Sequence, residues 1–200
     1  SHPAVAGISF TGSVPTGRKI AQGAIQHMKK IQMEMGGKNP MVIMEDADLD
    51  IAIPVTINGA FYQTGQRCTA SSRVIVHEKI YDAFVERFVS EMDKLSVGPA
   101  LDPKTQIGPV VSDTQLKSNL SYVEIARNEG CEVVSGQHLA ERNTGYFQRP
   151  GVFLNANNKM RSSREEIFGP VASIIKVGDF EEAVATANDT EFGLSSAICT

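Results

Sequence analysis

The sequence predicts an α/β fold: a parallel-rich open sheet flanked by helices. Three observations carry this reading. From Asn39 onward, short apolar runs (Pro40–Met44, Arg73–His77, Ala172–Val177) alternate with stretches of helical periodicity (51–62, 78–95, 114–128). Strands that alternate with helices of this length build βαβ units and parallel sheets. A chain of 200 residues that is 42% hydrophobic and 21% charged can bury the core such a sheet needs. That length fits one large domain, or one domain with part of another.

The elements follow in order. Residues 4–10 (A-V-A-G-I-S-F) read as a short strand that begins abruptly, so further sequence is expected upstream. T-G-S-V-P-T-G-R-K then makes a glycine turn feeding a helix from about Pro15 to Lys30, with Pro15 in the first turn, where its missing N–H is not needed. Gly12 and Gly17 are spaced G-x-x-x-x-G, yet Arg18 and Lys19 follow where a P-loop requires Lys then Ser or Thr. A strand, a glycine turn and a helix N-terminus still suit a phosphate group, because unpaired N–H groups and the helix dipole face it. A plain βα turn closed by glycine is the equal alternative.

Ile31–Lys38 alternates apolar and polar residues as a strand does. Pro40–Met44 is a strand, and Asp46 and Asp48 offer N-cap chemistry for a helix through Tyr62. Arg73–His77 is a strand before an amphipathic helix, 78–95, whose Ile80, Phe84, Phe88 and Met92 recur at helical spacing and mark core. A Pro/Gly loop over 96–113 precedes a helix over 114–128 that Gly130 stops. Cys131–Val134 is a strand, 136–149 a polar hairpin or loop, Val152–Leu154 a strand, and Asn155–Ser163 a polar loop. Ala172–Val177, a helix over 179–188, and a strand from Ser195 to the last residue complete the chain, with further sequence expected beyond it.

Several function classes are disfavoured. A net charge of −4 with dispersed cations gives no nucleic-acid footprint. No apolar run approaches the roughly 20 residues of a membrane helix. Three distant cysteines (Cys68, Cys131, Cys199) argue against a disulfide framework and for a reducing, cytoplasmic setting. His2, His27, His77 and His138 are isolated, so no metal site is expected.

Three places hold candidate chemistry. In F-Y-Q-T-G-Q-R-C-T-A-S-S-R (Phe61–Arg73), a tight polar turn presents Cys68 beside Arg67. Exposure and nearby positive charge favour a thiolate nucleophile, although many free cysteines are merely small buried hydrophobes. Glu34, between Met33 and Met35 and ahead of Gly36-Gly37, is either a poised general base or the solvent face of an edge strand. In R-E-E-I-F-G-P-V (Arg164–Val171), the glutamates suit ribose hydroxyls and Phe168 suits a ring; a solvated helix-to-strand turn is the alternative.

The order of these pieces is more specific than any of them. F-T-G-S (Phe10–Ser13), M-E-M-G-G-K-N-P (Met33–Pro40), G-Q-R-C (Gly65–Cys68) and E-E-I-F-G-P (Glu165–Pro170) together resemble the aldehyde dehydrogenase superfamily over the whole chain. The resemblance implies Cys68 as catalytic cysteine, Glu34 as general base, Glu166 as a ribose-binding carboxylate and Phe168 as the aromatic beside a nicotinamide. Gly12, Ser13 and Gly17 match the phosphate-contacting turn. It also implies NAD or NADP as cofactor, a small aldehyde as substrate, no nucleic-acid or membrane partner, and a homo-oligomer. Residues 1–36 would be the tail of a Rossmann-like cofactor-binding domain, and 37–200 a catalytic domain incomplete at its C-terminus. The isolated chain is then expected to be inactive.

In the implied chemistry the Cys68 thiolate adds to the aldehyde, hydride transfer leaves a thioester, and Glu34 deprotonates the water that releases the acid. Arg67 beside the nucleophile suggests an acidic semialdehyde, paired through its guanidinium; service to packing is the alternative. The competing classes are a non-catalytic relative that keeps the fold and a CoA-acylating relative.

Overall fold

In a computed structural model, which describes residues 2–139 and 145–200, the chain divides into two compact units, Ser1–Gly37 and Lys38–Thr200. The first is one βαβ unit. β1 (Gly7–Thr11) and β2 (Lys30–Glu34) pair in parallel, with Thr11 opposite Glu34, and α1 (Val14–Ile25) connects them. Helix α1 stops at Ile25 rather than near Lys30. The chain turns through Met28, at φ 52°, and so brings Lys30 into register with Gly7. Strand β2 likewise ends at Glu34, short of the glycine pair.

The second unit holds β3 (Asn39–Ile43), α2 (Leu49–Phe61), β4 (Ser71–His77), α3 (Glu78–Asp93), α4 (Asp113–Asn128), β5 (Glu132–Ser135), β6 (Gly151–Ala156), α5 (Arg161–Arg164), β7 (Val171–Val177), α6 (Phe180–Asn188) and β8 (Ala197–Cys199). Its six strands lie in the order β5-β6-β7-β4-β3-β8, parallel except for the β5–β6 pair. The expected parallel-rich open sheet is therefore present.

Both faces of this sheet are covered, so its middle strands read as continuous apolar runs. Alternation of side chains along each strand divides the core in two. Met41, Ile43, Val74, Val76 and Ile174 pack with Phe61 of α2 and Phe84, Phe88 and Met92 of α3. Val42, Ile75, Ile175 and Phe153 pack with Val123 and Ala126 of α4 and Ala183 of α6. The Phe84 and Phe88 rings stack at 5.2 Å, with Phe61 at 5.7 Å from Phe88, so the helical period read from the sequence is the core period.

Asp48 caps α2, as anticipated, by accepting from the Asp50 N–H at 2.8 Å. The short helix α5 overlaps the end of the Asn155–Ser163 segment read as loop. Its R-S-S-R sequence has no apolar periodicity, and its first N–H groups are met by a distant carboxylate, Glu129. Part of the polar stretch over 136–149 lies outside the described residues. Among the described residues no helix is long and apolar enough to cross a membrane, and no cluster of His, Cys, Asp or Glu forms a metal site.

Candidate active site

Parallel pairing fixes where the motifs meet. In the second unit Lys38 leads into β3, G-Q-R-C leads into β4, and E-E-I-F-G-P leads into β7. These strands are neighbours in the order β7-β4-β3 and run the same way. Their amino ends therefore share one edge of the sheet, and three motifs distant in sequence converge there.

The cysteine stands on a strained turn. Past Phe61, a 3-10 turn over Tyr62–Gly65 places Gln63, Thr64 and Gly65 at φ of 56°, 60° and 63°. Left-handed backbone costs roughly 1–2 kcal/mol per non-glycine residue, so other contacts must hold it. Thr64 Oγ1 donates to the Gly108 carbonyl at 3.1 Å, and Gln66 Oε1 accepts from the Val111 N–H at 2.9 Å. Both partners belong to the long loop before α4, which thus braces the turn. Cys68 is exposed, while its own carbonyl is pinned from behind: Asn39 Nδ2 donates to it at 2.8 Å and to the Ala70 carbonyl at 2.9 Å. Asn39 Oδ1 in turn accepts from the Ser195 N–H at 3.1 Å.

Arg67 does not stand ready for a substrate carboxylate. Its Nη2 donates to the Asn58 and Gly59 carbonyls at 2.7 and 2.8 Å, so the guanidinium satisfies the last turn of α2. The structure favours the packing reading of this residue.

The turn before β7 sits directly against the cysteine turn. A Cβ added to Gly65 would lie 2.1 Å from the Gly169 carbonyl oxygen, a contact only glycine permits. The two glutamates there differ. Glu165 accepts from Arg161 Nε at 2.9 Å, Arg161 Nη2 at 3.1 Å and the Tyr122 hydroxyl at 2.6 Å. Those bonds, the Arg161 one foremost, hold its carboxyl below the usual range, while burial and then the Glu165 acceptor push the Tyr122 hydroxyl up to about 12. Glu166 is half-buried, and Phe168 is 37% exposed at φ 60°, an uncommon conformation for an aromatic residue.

Behind both turns lie two cations that sequence reasoning passed over. Lys38 is 1% exposed, and its Nζ donates to the Ser162 carbonyl at 2.8 Å. Burial, then the Arg73 charge, lower its pKa to about 7 against the opposing pull of Glu166 and Glu165. Arg73 is fully buried; its Nε donates to the Lys38 carbonyl at 2.9 Å, and its Nη atoms donate to Asn158 Oδ1 and to the Thr186 and Ala187 carbonyls at the end of α6. Lys38 and Asn39 were inside a motif already singled out, and Arg73 ended another. Their position was visible, whereas their burial was not.

The first unit gathers the remaining candidates at the carboxyl ends of β1 and β2. Glu34 is exposed, and its carbonyl accepts from the Gly12 N–H at 3.0 Å. Gly12 thus contributes shape rather than a donor: a Cβ there would lie 2.6 Å from the Phe10 ring. At Gly17 a Cβ would lie 2.5 Å from Met35 Sδ, the far end of a flexible side chain that can move aside. Ser13 is the N-cap of α1 without capping it through its side chain; its hydroxyl bonds Thr16 Oγ1 at 3.0 Å.

The aldehyde dehydrogenase family model matches residues 1–200. The chain belongs to the aldehyde dehydrogenase family. It is 44% identical to a betaine aldehyde dehydrogenase of Sinorhizobium fredii over 202 residues, covering 100% of this chain and 42% of that protein. It is 43% identical to an alpha-ketoglutaric semialdehyde dehydrogenase of Bacillus subtilis, covering 100% of this chain and 41% of the relative. Among solved structures, a betaine aldehyde dehydrogenase of Staphylococcus aureus in complex with NAD+ superposes with a TM-score of 0.96 at 33% identity, over 100% of this chain and 40% of that one. An indole-3-acetaldehyde dehydrogenase complexed with NAD+ gives 0.97 at 34% identity, over 100% and 41%. The chain spans about two-fifths of the length of these relatives. Within this family fold, the sheet described above is the frame that carries the cysteine turn of this aldehyde dehydrogenase chain.

Proposed function

We propose that this chain carries the nucleophile, the general base and part of the cofactor contacts of an NAD(P)-dependent aldehyde dehydrogenase that converts an aldehyde to its carboxylic acid. One observation carries the reading: an exposed cysteine on a strained, externally braced turn, locked glycine to glycine against the turn of Glu166 and Phe168. Strain held by surrounding structure concentrates at functional sites.

In this reading Cys68 Sγ adds to the aldehyde carbon, and the acyl group is held on Sγ as a thioester once the substrate is oxidised. Glu34 accepts a proton from water, which attacks the thioester and releases the acid and the thiolate. Exposure of Glu34 supports access to water. The backbone N–H of Cys68 is the oxyanion donor assigned to this chain. A bound dinucleotide supplies the hydride acceptor. Within the second unit Glu166 offers a half-buried carboxylate for its hydroxyls and Phe168 an exposed ring for stacking; the first unit, by itself, offers at Ser13 a helix start without a side-chain cap for phosphate. Gly12 and Gly17 shape that turn. Hydrolysis by Glu34 is favoured over transfer to CoA. We assign residues 1–36 to the cofactor-binding domain and 37–200 to the catalytic domain, in a cytoplasmic homo-oligomer, with the 200-residue chain inactive alone.

An acidic semialdehyde is the first substrate to test, on the similarity to the Bacillus subtilis protein; Arg67 is not its anchor. The test is NADH release and intact mass on the full-length protein with a panel of aldehydes. A burst of NADH with an acyl adduct on Cys68, both lost in Cys68→Ala, is expected. Retention of an active base mutant would overturn part of it: Glu34→Gln should spare the burst and slow steady turnover. No NADH and no adduct with any aldehyde would favour a non-catalytic relative.

A further inference from the structure

We propose that one face of α4 is the template that positions the Glu166–Phe168 turn, with Gln115 and Tyr122 as its positioning residues; the cofactor consequence rests on the dehydrogenase reading above. Residues 115, 119, 122 and 129 are spaced by four, three and seven, which places them in one row along the helix and its C-cap. Each meets the segment from Arg161 to Gly169, Glu129 at its start and Tyr122, Asn119 and Gln115 further along.

Glu129 takes the start of the segment. Its carboxylate accepts from the Arg161 N–H at 2.7 Å, the Ser162 N–H at 3.2 Å and Ser162 Oγ at 2.9 Å, closing the N-terminus of α5. Tyr122 takes the middle, donating to Glu165 at 2.6 Å. Gln115 takes the end: its Nε2 donates to the Ile167 carbonyl at 2.9 Å, with the Phe168 carbonyl at 3.4 Å. Asn119, fully buried, is bonded amide to amide with Gln115 at 2.8 Å and with Gln148 at 2.9 Å. A Cβ on Gly169 would lie 2.3 Å from its amide, which fills the space beside the glycine.

Packing α4 on the sheet does not require this row. Val123 and Ala126 already supply that contact. The polar row serves the turn, and the turn needs holding because Phe168 sits at φ 60°, where a non-glycine residue remains only if its surroundings fix it. With Glu165 tied to Tyr122 and Arg161, and the carbonyls of residues 167 and 168 on Gln115, the peptide units on either side of Glu166 have set orientations. The backbone that carries Glu166 and Phe168 is thus held by a helix that carries no motif residue.

The experiment uses the full-length protein with Tyr122→Phe, Gln115→Ala and the double variant. Hydrogen–deuterium exchange of residues 161–170 is measured without cofactor, alongside the dissociation constant for NAD+ and the KM values for NAD+ and aldehyde. Faster exchange in this segment is expected. The NAD+ dissociation constant and KM should rise on the order of ten-fold, as for a lost hydrogen bond to a charged group. Aldehyde KM should change less than the KM for NAD+. Unaltered exchange would show that α4 does not hold the turn. Faster exchange with unaltered NAD+ affinity would show that holding it does not position a cofactor contact. Either result overturns the proposal. Failure of the wild-type protein to bind NAD+ is a different outcome, which removes the dehydrogenase reading and with it the cofactor half of this one. Tyr122→Phe deletes a single oxygen, so it keeps the test available if Gln115→Ala does not fold.

Discussion

Burial of Lys38 should leave a signature in the pH dependence of stability. Its folded-state pKa of about 7 lies far below its ordinary 10.5. Between those values the unfolded chain binds the proton that the folded chain has released, so stability rises with pH across that window. Below about pH 7 the folded state carries the full cost of an enclosed ammonium. At about 1.4 kcal/mol per pKa unit, with the folded group half-titrated at pH 7, the gain from pH 7 to pH 9 comes to about 2 kcal/mol. Other groups titrate over the same range, and the comparison with Lys38→Met removes them. Methionine also withdraws the donor from the Ser162 carbonyl, but that loss is common to both pH values and cancels. Urea unfolding of both proteins at pH 7 and pH 9 gives four free energies. The wild-type value minus the Lys38→Met value should increase by about 2 kcal/mol from the lower pH to the higher. A difference independent of pH would refute the reasoning, since an amine that titrates equally in both states is not enclosed. The neutral amine keeps its N–H donors, so the bond to Ser162 survives this titration.

The turn at the sheet edge supplies further tests. Gly65→Ala must accept φ 63° and a Cβ 2.1 Å from the Gly169 carbonyl oxygen, so a loss on the order of 3 kcal/mol in denaturant unfolding is expected, with a slower Cys68 reaction. A variant as stable as wild type would mean that the two turns are not in contact. Asn39→Ala leaves the Cys68 and Ala70 carbonyls without their buried donor, a loss of about 2 kcal/mol that the same unfolding assay reads. Of the three thiols, Cys68 is exposed, while burial raises the pKa of both Cys131 and Cys199. A thiol reagent near neutral pH should therefore label one fast equivalent, absent from Cys68→Ala; fast labelling that persists in the variant would contradict the assignment.

The elements were legible because each repeats a simple period. Phe84, Phe88 and Met92 announce a helix face, and Met41 to Ile43 or Val74 to Val76 announce enclosed strands, whatever lies elsewhere in the chain. Where local pattern misled, a distant partner was responsible. Arg67 follows the glycine turn and adjoins Cys68, yet its guanidinium reaches back eight and nine residues to the open carbonyls of α2. Helix α1 was expected to reach about Lys30, whereas register with Gly7 claims Lys30 for a strand. Helix α5 exists because Glu129 closes its N-terminus from 32 residues away. Lys38 and Arg73 passed unnoticed because cations are the residues most often exposed, and only carbonyl acceptors supplied by three-dimensional folding make their burial tolerable.

One long-range feature was nevertheless written locally. Each motif of the second unit stands immediately before its strand: Lys38 before β3, Cys68 just ahead of β4, Pro170 before β7. In a parallel sheet that shared placement is enough to put all three on one edge, whatever the strand order. Strand order, which the sequence does not encode locally, then decides which motifs touch. With β4 between β7 and β3, the cysteine turn has the Glu166 turn on one side and Asn39 on the other. Were β3 the middle strand, Gly65 would not meet the Gly169 carbonyl, though Gly65 would keep its φ of 63° and Gly169 its close approach to the Asn119 amide. The approach of the two turns is therefore set by strand order, whereas each glycine also answers to a demand of its own turn.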